Sequence, residues 1–121
     1  MSERDSLTDW FHALSEHPPE ALVGLATSEN IALLRLHISR CTPDYPLPET
    51  IEATDFAEAV ITFRENESAW NQAVMAALVK ADDLCKAGSI SEAFETLQAF
   101  AASCPWSLFK EVALNQATHY R

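Results

Sequence analysis

Apolar residues recur along this chain at intervals of three and four, the spacing of one face of an α-helix. Leu7, Trp10, Phe11 and Leu14 form the first such stripe, with Ser6 and Asp9 in capping-box spacing. The stripe predicts a short amphipathic helix over 6–17, ended by His17-Pro18-Pro19. Pro19 suits the first turn of a second helix, which carries Leu22, Val23 and Leu25 to about Thr27. In the third segment, "ENIALLRLHISRC", Ile31, Leu34, Ile38 and Cys41 share a face, and Ser28 can cap it. The run IALLRLHI also fits a strand. Helix is favoured because the segment exceeds ten residues and no second strand exists elsewhere to pair with it.

The segment "TPDYPLP", Thr42 to Pro48, holds three prolines in seven residues. It predicts an exposed, non-helical connector between an N-terminal and a C-terminal helical part of one domain, 1–121. Thr54 can cap the next helix, with Phe56, Ala59, Val60 and Phe63 on one face, and "RENES" breaks it. The longest helix candidate follows, over 68–87, with Trp70, Ala73, Val74, Ala77, Leu78, Ala81, Leu84 and Cys85 as its stripe. Gly88 then stands where a left-handed cap is wanted, and Ser89 and Glu92 have capping-box spacing. A helix over about 90–103 buries Ala93, Leu97, Phe100 and Ala101. Pro105 suits the first turn of the last helix, which carries Leu108, Phe109, Val112, Ala113, Gln116 and Tyr120. The expected fold is all-α: a compact bundle or a short right-handed stack of about six to seven helices. An antiparallel hairpin turning at Gly88 brings Trp70 towards Trp106 and leaves Cys85 and Cys104 too far apart to bridge.

Composition narrows the function. Of 121 residues, 48% are hydrophobic, so a folded globule is expected, and two glycines are too few for a hairpin-rich sheet protein. No apolar run approaches the length of a membrane span, and "MSERDSLTDW" lacks the features of a signal peptide, so a cytoplasmic location is expected. The net charge of −10 argues against a nucleic acid or an anionic membrane as partner. Between Thr42 and Glu67 stand seven acids (Asp44, Glu49, Glu52, Asp55, Glu58, Glu65, Glu67) and one base, Arg64. That acidity either keeps the chain soluble or is aimed at a basic partner.

No catalytic or metal-binding pattern stands out. Cys41, Cys85 and Cys104 are odd in number and scattered, unlike the paired ligands of a zinc site. They read as reduced, mostly buried thiols. His12 and His17 are five apart, off a common helical face, and His37 and His119 stand alone. Two isolated glycines cannot build a phosphate loop, and G-x-S-x-G is absent. Neither cofactor, metal nor enzyme activity is expected.

Residues 74–107 resemble one tetratricopeptide repeat, a helix–turn–helix unit of about 34 residues. Ala81 and Ala93 fall on its small-residue positions, Gly88 on the turn and Pro105 on the closing proline. Ala77 departs from it, standing where the family usually has Trp, and Phe100 is bulkier than the pattern. "AEAVITF" and "SEAFETL" echo each other at a spacing of 34. The resemblance implies a module that holds a partner segment in a groove. The expected function is therefore non-enzymatic protein binding, as an adaptor, small chaperone or stoichiometric inhibitor. The alternative is an acidic immunity protein or nucleic-acid mimic that covers a basic surface. Candidate contact residues are Glu49, Glu52, Asp55, Glu58, Trp70 and Trp106. Reversing Glu52, Asp55 and Glu58 to Lys is expected to leave stability nearly unchanged. Homo-oligomerisation is left open.

Overall fold

Six α-helices, a closing 3₁₀ turn and no strand form among the described residues, 3–120, of this computed structural model; side chains are described from Ser6 onward. The helices are α1 (Glu3–Ser15), α2 (Pro19–Gly24), α3 (Ser28–Cys41), α4 (Ala53–Lys86), α5 (Ile90–Ser103) and α6 (Ser107–Ala117), followed by Thr118–Tyr120. The chain is all-α. It divides into two compact units, Met1–Asn66 and Glu67–Arg121. The boundary falls inside α4, and the proline-rich segment lies within the first unit.

That α4 is continuous corrects the expected break at "RENES". The charged run contains neither Pro nor Gly, and Arg and Glu are good helix formers. The buried stripe also continues through it: Phe56, Val60, Phe63, Glu67, Val74 and Ala81 keep three- and four-residue steps or their multiples. Glu67, only 9% exposed, fills a stripe position where an apolar residue would be usual.

The N-terminal unit has an aromatic centre. The Phe11 ring of α1 stacks on His37 of α3, with centroids 4.6 Å apart, and meets Phe63 of α4 edge-on at 5.7 Å. Phe11, Phe56, Phe63, Leu22 and Leu34 are fully buried, each contributing on the order of 2–3 kcal/mol over exposure. His37 is 2% exposed and belongs to this core. Ser6 lies inside α1, so it does not cap it. Pro19 does open α2, as its missing N–H allows. The cap of α3 is Thr27, whose Oγ1 accepts from the Asn30 N–H at 3.1 Å; Ser28 is the first helical residue.

Residues 42–52 between α3 and α4 are non-helical, but they are strapped down. One Arg35 Nη2 donates to the carbonyls of Pro48 (2.7 Å) and Glu49 (2.6 Å). Tyr45 sets its ring edge-on to Phe63 at 5.1 Å. Thr42 and Ile51 are buried, so the segment is only partly the exposed connector its prolines suggest. The Thr42 hydroxyl oxygen is buried without a hydrogen-bond partner.

In the C-terminal unit, the end of α4 turns into α5 through Gly88, whose φ of 89° lies in the left-handed region. The Ser89 N–H donates to Leu84 O (2.8 Å) and the Gly88 N–H to Cys85 O (3.0 Å), which satisfies two terminal carbonyls. Ser89 is the N-cap of α5, but its side chain makes no cap bond, so the expected capping box does not form. Trp70 of α4 meets Phe100 of α5 edge-on at 5.9 Å. The two helices therefore run antiparallel. Ala81, Ala93, Leu97 and Ala101 are buried between 0 and 2% exposure, and α5 lies against α6. Trp106 is the N-cap of α6, so Pro105 stands just before the helix and not in its first turn.

Candidate partner-binding surface

The acids are partitioned between the units. Residues 1–66 hold twelve acids and four bases, a balance of −8; residues 67–121 hold six acids and four bases, a balance of −2. Most of the net negative charge therefore lies on the first unit.

Two grooves open there. One lies between α2 and the first turns of α4, about 360 Å³ in volume, walled by Pro19, Glu20 and Val23 on one side and Thr54, Ala57, Glu58, Ile61 and Thr62 on the other. The second, about 270 Å³, has Tyr45, Pro46, Leu47 and Pro48 facing Asp55, Glu58, Ala59 and Thr62. Glu58 and Thr62 line both, so the grooves are neighbours across α4. The helical spacing explains the sharing: 58 and 62 are one turn apart and form the ridge between two hollows. No base lines either groove.

Of the six residues singled out in the sequence, four fall on or beside this surface. Asp55 and Glu58 line grooves. Glu49 and Glu52 are exposed on the chain leading into α4. Asp55 has a structural role as well. Its Oδ2 accepts from the Glu52 N–H at 3.0 Å, which satisfies a free donor at the start of α4. Reversing it to Lys would remove that bond, so a loss of about 1 kcal/mol is expected for that residue. Glu49 has its backbone held by Arg35 while its side chain stays exposed.

Trp70 and Trp106 belong to the second unit. Trp70 is half-buried against Phe100. Trp106 is 2% exposed, and its ring stacks on Phe109 at 5.8 Å, so it offers a partner almost no surface; this corrects its place among the contact residues.

The three thiols are free. Cys104 is buried, and burial pushes its thiol pKa up; its Sγ donates to the Trp106 carbonyl at 3.6 Å. Cys41 Sγ lies 3.7 and 3.9 Å from the two ring nitrogens of His37. With the imidazole stacked under Phe11, this pair is part of the core packing. No group of three or more His, Cys, Asp and Glu among the described residues is placed to hold a metal ion. No helix among the described residues is long and apolar enough to cross a membrane.

The sequence reading missed Val23, Ala57 and Ile61 as groove walls. Nothing in the local pattern marks them, because α2 and α4 are brought together only by the tertiary fold. It also missed the outer face of α4 in the second unit, where Met75 and Val79 are 55% and 59% exposed. Comparison with protein-family models, with curated proteins and with solved structures found no match.

Proposed function

We propose that the chain is a non-enzymatic protein-binding module, an adaptor, small chaperone or stoichiometric inhibitor, that holds a basic partner on the acidic face of its N-terminal unit. The observation that carries this reading is the coincidence of charge and shape. The unit that holds most of the net charge also holds two neighbouring grooves, whose shared ridge carries Glu58. Glu49 and Glu52 extend the field beyond the grooves. Such a field steers a basic partner towards the face, and the apolar walls reward close contact. The likeness of residues 74–107 to a tetratricopeptide repeat also supports a binding role.

A second reading, an acidic immunity protein or nucleic-acid mimic, is favoured by the balance of −8 in one unit. The two differ in their response to salt. Binding by charge alone collapses as salt rises, while binding that also buries apolar walls falls less steeply. The test is capture of partners from native lysate by the wild-type chain and by a Glu49→Lys/Glu52→Lys variant, at low and high salt. A partner retained by the first and lost by the second supports the acidic face. Identical capture by both, or turnover of a small molecule by the purified chain, refutes it.

A further inference from the structure

We infer that the groove between α2 and α4 receives the apolar face of a cationic amphipathic segment of the partner. This rests on the binding reading above and specifies the chemistry of what is bound. Pro19, Val23, Ala57 and Ile61 supply apolar wall, and each side contributes one exposed carboxylate: Glu20 from α2 and Glu58 from α4. Val23 remains 38% exposed although it faces this hollow.

The combination selects its occupant. A purely apolar segment would fill the groove but strip water from Glu20 and Glu58 without replacing it, which is unfavourable. A lysine-rich segment without apolar residues would pair the carboxylates and leave the walls wet. A segment with one or two large apolar side chains, flanked by Lys or Arg, satisfies both. The volume of about 360 Å³ accommodates side chains of that number and size. In a helical segment, spacing of i and i+3 or i+4 places such residues on one face.

The probe is a synthetic amphipathic helix of about 14 residues built of Leu and Lys, with Leu at i, i+3, i+4 and i+7. One control replaces every Leu by Ser, and another replaces every Lys by Glu. Binding is read by fluorescence anisotropy, and the site by backbone amide shifts of the labelled protein. The expected result is saturable binding of the Leu/Lys probe, with shifts concentrated at residues 19–23 and 54–62. The Ser control should bind about tenfold more weakly, and the Glu control should not bind. Val23→Ser should weaken the Leu/Lys probe about fivefold without a change in Tm. Equal affinity of the Leu/Lys probe and its Ser control, or shifts centred on Met75 and Val79, would overturn the groove assignment. If the Ser control binds equally well and remains sensitive to Glu49→Lys/Glu52→Lys, only the groove is lost and the acidic face stands. If no cationic probe responds to those reversals, the binding reading itself fails with it.

Discussion

The Trp70 indole and the Phe100 ring meet edge-on across the α4–α5 hairpin, with centroids 5.9 Å apart. They lie 18 residues before and 12 residues after Gly88, so their contact closes the open end of the hairpin. Edge-to-face pairs contribute about 0.5–1.5 kcal/mol beyond the area they bury. A double-mutant cycle of Trp70→Leu and Phe100→Leu, read by urea unfolding, should return a coupling of that size. Strict additivity would mean that the two rings do not meet.

Gly88 carries the turn. A Cβ built there meets nothing within 4 Å, so the cost of a side chain is confined to the backbone at φ 89°. Gly88→Ala should destabilise the fold by about 1 kcal/mol, and Gly88→Asn by less, because Asn tolerates the left-handed region better. Gly24, which has no such φ and equally open surroundings, provides the control: Gly24→Ala should not destabilise.

Thr42 follows α3 as its C-cap, at φ −141° and ψ 87°, with a buried hydroxyl that meets no partner. Valine has nearly the same shape and suits that backbone. Thr42→Val should therefore raise stability by about 1 kcal/mol, while Thr42→Ala should lower it by opening a cavity. A loss of stability in the valine variant would reveal a hydrogen bond to that oxygen.

Arg35 straps the proline segment to α3 through two carbonyls. Arg35→Met keeps most of the aliphatic stem and removes both bonds. Amide exchange over Asp44, Tyr45 and 49–52 should quicken several-fold, with the protection of α5 unchanged. Identical exchange in wild type and variant would place the restraint elsewhere, on Tyr45 and Ile51.

How much of this was legible in the sequence depends on what marked each element. α5 begins and ends where its pattern predicts, about 90–103, and α3 ends at Cys41 as expected but starts one residue earlier, at Ser28 rather than after it, because proline, glycine and an apolar stripe bracket both segments. α4 runs unbroken through a charged segment whose polarity suggests a break, because that segment keeps its helix formers and its period. The stripe expected for the last helix spans two faces: Phe109, Ala113 and Tyr120 are buried, together with Ala117, while Leu108 and Val112 are exposed. Small alanines let α6 approach α5 closely, a gain that no hydropathy value records. The acidic part of the candidate surface was visible as a run of carboxylates. Its apolar part was not, since Val23 and Ile61 meet only across the folded unit.

The most direct test of the acidic face compares two charge reversals of equal size. Glu49→Lys/Glu52→Lys alters exposed carboxylates of the N-terminal unit, and Glu95→Lys/Glu111→Lys alters exposed carboxylates of the C-terminal unit. Both variants carry the same net charge, so bulk electrostatics is matched. The affinity of a captured basic partner is then measured for each at physiological salt, with Tm as the control for folding. If the N-terminal face docks the partner, the first variant binds about tenfold more weakly and the second within about twofold of wild type. Equal loss in both variants, or loss in the second alone, would contradict it.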